Sequence, residues 1–78
     1  MSPKVSIHID PQKLQAARHR KALTLRELGA AVGIDHNVIW MYEKGRRFPT
    51  LRTVRKLATA LGIEPVELLK EEDNYTNP

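Results

Sequence analysis

The segment that decides the fold is residues 24–45, TLRELGAAVGIDHNVIWMYEKG, because it carries two helix-start signals on either side of a glycine. Thr24 and Glu27 have the spacing of a capping box, in which each side chain satisfies a backbone N–H of the other residue. Gly33 is suited to end the first helix in the left-handed conformation, and Asp35 is suited to cap a second one. The sequence therefore predicts two short helices joined by a tight turn.

Apolar residues recur at helical spacing in this segment and predict which faces are buried. The predicted inner residues are Leu25, Leu28, Ala31 and Val32 in the first helix, Ile34 in the turn, and Ile39 and Tyr42 in the second helix over residues 36–44. Gly29 lies in mid-helix, where glycine costs about 1 kcal/mol relative to alanine. We interpret it as room for a close approach of the second helix.

An extended stretch and another helix are predicted before this segment. Asp10 and Pro11 favour a helix start, and the helix is predicted to end near Lys21. Its predicted inner residues are Leu14 and Ala17. Residues 5–9 alternate apolar and polar, which is typical of a short strand. Because such a strand needs a partner edge, it either pairs with its copy in a second chain, which we slightly favour, or packs on the helices.

Two further helices are predicted after the segment. Thr50 is suited to cap a helix over residues 51–61, and Gly62 is suited to end it. Its predicted inner face consists of Leu51, Val54, Leu57, Ala58 and Leu61. Glu64 and Pro65 then predict a short fifth helix through Leu69. Its residues available for the core are Val66 and Leu69.

The composition fits one small domain and excludes several classes of function. The 78 residues are predicted to form an extended segment over 1–10, one all-α domain over 11–70 and an acidic, frayed tail over 71–78. The absence of cysteine excludes disulfides, thiolate zinc sites and cysteine nucleophiles. The three histidines are scattered, and no catalytic pair, phosphate loop or cofactor motif is present. We therefore expect no enzyme activity, no metal and no cofactor.

Charge and apolar content indicate a partner and a compartment. Residues 1–62 contain 12 Lys/Arg against 4 Asp/Glu, whereas residues 63–78 contain one lysine against five acidic residues. A basic body points to a polyanionic partner. Because the second helix of a helix-turn-helix enters the major groove, the predicted partner is double-stranded DNA. No apolar run is long enough for a membrane span or a signal peptide, so we expect a cytoplasmic protein.

Several short motifs match one known family. They are Thr24-Leu25-Arg26-Glu27-Leu28, Val32-Gly33-Ile34, Ile39 with Tyr42-Glu43-Lys44-Gly45, Arg47-Phe48-Pro49-Thr50, and Leu57-Ala58 followed by Ala60-Leu61-Gly62-Ile63. With them the stretch from Leu14 to Leu69 resembles the lambda-repressor-like family, which includes the Cro and cI repressors. The resemblance implies a five-helix domain that regulates transcription as a repressor and binds a near-palindromic operator as a homodimer.

The resemblance also assigns roles to single residues. The exposed positions that match the family's base readers are His36, Asn37 and Met41, with Trp40 beside them. It further implies that Arg18 pairs with Glu43 behind the reading helix, and a partly buried arginine does favour a bidentate carboxylate. For Asn37 the alternative is a role in the helix cap, and for Trp40 it is packing against its own basic loop.

Phosphate contacts are predicted on both sides of the reading helix. They are the side chains of Lys21, Arg26, Lys44, Arg46 and Arg47 and the backbone N–H groups of the helix N-terminus at Thr24 and Leu25. Many family members carry glutamine at the position of Leu25, so the operator of a relative cannot be transferred to this chain. The cations Arg52, Arg55 and Lys56 are interpreted as a solvated helix face.

A protein-interaction module is the alternative function, and the antitoxin half of a toxin–antitoxin pair is one variant of it. Trp40 and Met41 would suit an apolar docking patch for a protein partner. The cations of the loop after the reading helix, Lys44, Arg46 and Arg47, form what we name the basic cluster. This cluster favours DNA, because it offers charge where a protein partner would need apolar surface.

Overall fold

Four α-helices and one 3-10 turn make up the regular structure of residues 8–70, the part of the chain that the computed structural model describes. The elements are α1 (Pro11–Arg20), α2 (Leu25–Val32), α3 (His36–Glu43), α4 (Leu51–Leu61) and the 3-10 turn Pro65–Leu68. Within these residues no helix combines the length and apolarity needed to cross a bilayer. The predicted all-α class is confirmed for this part of the chain.

Side-chain caps determine where the α-helices begin. At α2 both bonds of the capping box form: the Thr24 hydroxyl accepts from the Glu27 N–H at 3.0 Å, and the Glu27 carboxylate accepts from the Thr24 N–H at 2.8 Å. The residues that cap α1, α3 and α4 through side-chain oxygens are Asp10, Asp35 and Thr50. These bonds satisfy N–H groups that have no partner inside a helix, and the predicted helix starts are confirmed.

A left-handed residue follows each of the four α-helices. Gly33 after α2 has φ 72° and Gly62 after α4 has φ 70°, as predicted, and Gly45 after α3 has φ 71°. After α1 the chain reverses at Ala22, which has φ 57° although it carries a Cβ. This conformation costs a non-glycine residue about 1–2 kcal/mol, and nothing in the sequence pattern indicates it.

The predicted fifth helix is not confirmed as an α-helix, because the segment after Glu64 makes a single 3-10 turn. The turn stops because Leu69 is extended, with φ −90° and ψ 152°. The buried residue is Leu68, which is 0% exposed, whereas the predicted core residue Val66 is 67% exposed. Leu69 packs at the core margin.

The extended stretch before α1 pairs within its own chain. Ile9 forms an isolated antiparallel bridge with Leu69. The bridge is flanked by hydrogen bonds from Lys70 N–H to the His8 carbonyl at 2.9 Å and from Asp10 N–H to the Leu68 carbonyl at 2.8 Å. Since Ile9 is 1% exposed, the favoured pairing of this position with a second chain is wrong. Residues 5–7 of the predicted strand lie outside the described residues.

One apolar core joins all of these elements. Its fully buried large side chains are Ile9, Leu14, Leu28, Ile39, Leu57 and Leu68. Besides Val66, two further predicted core residues are exposed, Ala31 and Leu51. In α2 the inner position is taken by Gly29, and Ala31 falls outside the buried arc. Leu51 lies in the first turn of α4, where the core already ends.

Candidate nucleic-acid interface

Helices α2 and α3 approach each other closely at Gly29. A Cβ built on Gly29 would meet the Ile34 carbonyl oxygen at a separation that real Cβ atoms do not reach, and it would lie 3.3 Å from the His36 nitrogen. The Ile34 N–H also donates to the Gly29 carbonyl at 2.9 Å. The tight turn therefore depends on the absence of a side chain at position 29, which is the role that the sequence indicated.

A buried ion pair fastens α3 to α1. Arg18 donates through Nε to Glu43 Oε2 at 2.7 Å and through Nη2 to Oε1 at 2.9 Å, a bidentate arrangement. Its third donor, Nη1, bonds the Leu23 carbonyl at 2.9 Å. The hydrogen bond to Glu43 raises the pKa of Arg18 above its ordinary value, against the opposing effect of burial. The pair fixes the last turn of α3, and with it the outward face of that helix.

The first turn of α3 presents two polar side chains to solvent. Asn37 is exposed, while its backbone N–H donates to Asp35 Oδ1 at 2.7 Å. Asp35 rather than the Asn37 side chain thus supplies the cap. The His36 side chain is 32% exposed, with Nδ1 3.8 Å from the Asp35 carboxylate. One turn later Met41 is half-buried, so it presents a smaller apolar surface than a fully exposed methionine would.

Trp40 lies against the cations that follow α3. The Arg46 guanidinium carbon is 5.4 Å from the centroid of the indole ring, and Lys44 Nζ is 6.0 Å away. The ring is still 39% exposed. This is the packing against its own basic loop that stood as the alternative to base contact. All three cations of the basic cluster are exposed.

The other predicted phosphate contacts are more dispersed. Arg26 is exposed and lines a shallow depression with His36 at the junction of α2 and α3. Leu25 is half-buried against the core, so its backbone rather than its side chain is available at the N-terminus of α2. Lys21 lies elsewhere, with its Cε and Nζ 3.7 Å from a Cβ built on Gly62 at the end of α4.

Sequence reasoning did not single out Phe48 as a functional residue. It is 55% exposed within the loop after the basic cluster. Its ring centroid lies 5.4 Å from that of His8, with the rings tilted by 54°. The sequence feature that could have drawn attention to Phe48 is an aromatic residue between arginine and proline in a polar loop. Among residues 8–70, no three His, Asp or Glu side chains gather in a way that would hold a metal ion.

Comparison with known proteins identifies the family. The profile of the family described as "Helix-turn-helix domain" matches residues 12–70. An uncharacterized HTH-type transcriptional regulator, y4dJ of Sinorhizobium fredii, is 41% identical over 56 residues, which are 72% of this chain and 73% of that protein. The cryptic phage CTXphi transcriptional repressor RstR of Vibrio cholerae is 33% identical over 61 residues. The match covers 78% of this chain and 55% of RstR.

Solved structures agree with this assignment. The restriction-modification controller protein C.AhdI from Aeromonas hydrophila superposes with a TM-score of 0.72 at 40% identity, covering 74% of this chain and 88% of that one. The biofilm regulator SinR, solved in complex with DNA, gives a TM-score of 0.73 at 21% identity over 77% of this chain and 100% of that one. At that identity the second match shows the fold alone.

Proposed function

Because the chain belongs to the helix-turn-helix domain family of the lambda-repressor-like type, we propose that it is a sequence-specific transcriptional repressor. In this proposal a homodimer binds double-stranded DNA and each protomer inserts α3 into the major groove. The observation that carries it is the outward face of α3. That helix exposes polar side chains in its first turn, and an exposed basic cluster follows its last turn.

Three side chains of α3 are proposed to read bases. Asn37 suits the N6 and N7 groups of adenine, to which an amide can bond bidentately. His36 can donate to an acceptor on a base edge, and the partly exposed Met41 suits a thymine methyl group. The two bonds between Arg18 and Glu43 hold the helix that presents these residues. Support for a repressor comes from RstR, a relative that is itself named a repressor.

Phosphates are proposed to lie at both ends of α3. The basic cluster contacts one stretch of DNA backbone, and Arg26 with the backbone N–H of Leu25 contacts another. Thr24 is removed from the predicted phosphate contacts, because its N–H already donates to the Glu27 carboxylate in the capping box. Lys21 is assigned a different role. Its ammonium lies beside Gly62, where a cation interacts favourably with the carbonyl end of α4.

Removing two cations of the basic cluster should weaken DNA binding for all sequences alike. For Arg46→Ala with Arg47→Ala, the slope of log affinity against log salt concentration should fall by about 0.9 for each phosphate that the variant no longer neutralises. The measurement is a salt titration of binding to an operator and to random DNA. Arg55→Ala with Lys56→Ala removes the same charge from the exposed side of α4. Equal losses of affinity in the two variants would contradict the assignment.

The proposed function as a whole is tested by selecting bound sequences from a random DNA pool with the wild-type chain. A dimeric reader should enrich a near-palindrome whose half-sites are one helical turn apart, roughly 34–36 Å. Affinity should also fall steeply as salt rises, because counterions are released from the phosphates. The absence of both an enriched sequence and a salt dependence would contradict the proposed function.

The exposed surface around Val66 is proposed as the dimer interface. Ile9 belongs to the stretch that the sequence favoured for pairing with a second chain, but it is committed to the core of its own chain. Val66 shares a surface depression with Arg20 and Glu67, so charges of both signs flank an apolar centre. A two-fold copy can place each arginine against the partner's acidic side chain, because a two-fold interface pairs a surface with itself.

A charge at the centre of this interface should separate the protomers. Val66→Asp is expected to shift the protein from dimer to monomer in sedimentation equilibrium, because an unpaired carboxylate would be buried between the protomers. Leu51→Asp is the matched control, since Leu51 is the exposed apolar residue of α4 and lies at the other end of that helix from the 3-10 turn. Dissociation by Leu51→Asp alone would place the interface elsewhere.

The protein-interaction module is favoured less than DNA binding. It requires Trp40 and Met41 to form an apolar patch. Met41 is half-buried, and two cations of the chain itself lie against the Trp40 ring. All three cations of the basic cluster are exposed beside Trp40, and they suit phosphate better than an apolar partner.

A further inference from the structure

The indole of Trp40 is placed where two cations of the basic cluster can rest on it. Trp40 and Lys44 are one helical turn apart, so their side chains share a face. The loop is then brought back to the helix, because Arg46 N–H donates to the Met41 carbonyl at 2.9 Å. This backbone bond places the Arg46 guanidinium 5.4 Å from the indole centroid, within the range of a cation–π contact.

The two cations are held by the ring and not by a carboxylate. The described ion pairs of residues 8–70 join Arg18 to Glu43 and His36 to Asp35, and neither of them involves the basic cluster. An aromatic face restricts a long cationic side chain but leaves its N–H groups free to donate. Lys44 and Arg46 are therefore ordered in advance while their hydrogen-bonding capacity stays available to an anion.

We propose that Trp40 is a positioning residue that holds Lys44 and Arg46 toward the DNA phosphates and does not read a base. The proposal rests on the DNA-binding function proposed above. An unrestrained lysine or arginine loses rotamer freedom when it reaches a phosphate. With the indole in place, part of that loss has already occurred in the free protein, which raises affinity without adding sequence preference.

Replacing Trp40 should weaken binding to all DNA sequences alike and leave the sequence preference intact. For Trp40→Leu we expect an affinity about fivefold to tenfold lower for an operator and for random DNA, because the two cations must then be ordered on binding. Trp40→Phe keeps an aromatic face and should retain most of the affinity. Met41→Ala, a change at a proposed base reader, should show the opposite pattern, with an altered base preference and an unchanged affinity for random DNA.

A base-reading role for Trp40 makes different predictions in the same experiment. Trp40→Leu would then relax the preference at one operator position and leave the affinity for random DNA unchanged, and this result would overturn the proposal. Coupling gives a second criterion, because the effects of residues that act together are not additive. In a background of Lys44→Ala with Arg46→Ala, Trp40→Leu should have little further effect, and full additivity would overturn the positioning role.

The contact can also be tested in the free protein, where Trp40 is the only tryptophan. Removal of Lys44 and Arg46 should expose the indole and raise its fluorescence quenching by acrylamide, a neutral quencher. Unchanged quenching would show that the cations do not cover the ring and would overturn the proposal. Failure of the wild-type chain to bind any DNA would overturn the proposed function and this inference together. Normal DNA binding by the wild-type chain, with no loss of affinity for random DNA in Trp40→Leu, would overturn this inference alone.

Discussion

Replacement of Glu43 by alanine is expected to lower the free energy of unfolding by about 3–5 kcal/mol. The Glu43 side chain is 1% exposed and accepts two hydrogen bonds from Arg18, whose side chain is 10% exposed. Alanine would leave the guanidinium buried and without its carboxylate. A domain of this size is stable by only about 4–12 kcal/mol, so the variant would lose a large part of its stability.

Urea denaturation followed by circular dichroism measures this loss, and His36→Ala is the control. His36 lies at the other end of the same helix with a partly exposed side chain, so its replacement should change stability by only about 0.5 kcal/mol. Removing both charges in Arg18→Met with Glu43→Leu should recover much of the loss, because an apolar pair of similar volume leaves no unpaired charge. Equal urea midpoints for Glu43→Ala and His36→Ala would contradict the importance of the pair.

The pH dependence of the Arg18 contribution follows from the direction of its pKa shift. The pKa is raised in the folded state by the hydrogen bond to Glu43. A raised pKa stabilises the fold at every pH below the unfolded-state value, and the contribution is lost only as pH rises through the folded-state value. Since arginine is effectively always protonated, ionisation of Arg18 should not make stability depend on pH in the neutral range.

Local signals in the sequence were sufficient for the helices that carry the candidate site. The capping box at Thr24, the cap at Asp35 and the left-handed Gly33 each depend on residues a few positions apart. Such interactions are formed by neighbours in the chain, so spacing alone predicts them. A glycine in mid-helix has a cost that demands a reason, and the close approach of α3 at Gly29 is that reason.

Features that depend on distant residues could not be obtained from spacing. The extended conformation of Leu69, which ends the 3-10 turn, is fixed by pairing with Ile9, a residue far away in the sequence. No local pattern distinguishes that pairing from a strand shared between two chains. For Trp40 the sequence likewise left two alternatives, base contact and packing against the basic loop. The contact of Arg46 with the Trp40 ring depends on the loop returning to Met41, which spacing does not predict.

Gly29→Ala is expected to destabilise the protein, by about 1–3 kcal/mol. Helix propensity alone predicts the opposite sign, because alanine in mid-helix is favoured over glycine by about 1 kcal/mol. The added methyl group would collide with the Ile34 carbonyl, which belongs to the backbone and cannot move as the end of a flexible side chain can. Relief would require α3 to shift away from α2, and the hydrogen bond from Ile34 N–H to Gly29 would weaken.

Gly33→Ala separates this collision from the general cost of losing a glycine. Gly33 has φ 72° and a Cβ built on it would have nothing within 4 Å, so alanine there costs only backbone strain, about 1–2 kcal/mol. Both variants should have lower urea midpoints. Only Gly29→Ala should also lose DNA affinity under conditions where the protein is fully folded, because only that change moves α3 relative to the N-terminus of α2. A higher urea midpoint for Gly29→Ala would mean that the helix propensity of alanine outweighs the collision with the Ile34 carbonyl. The turn would then tolerate a wider separation of its helices.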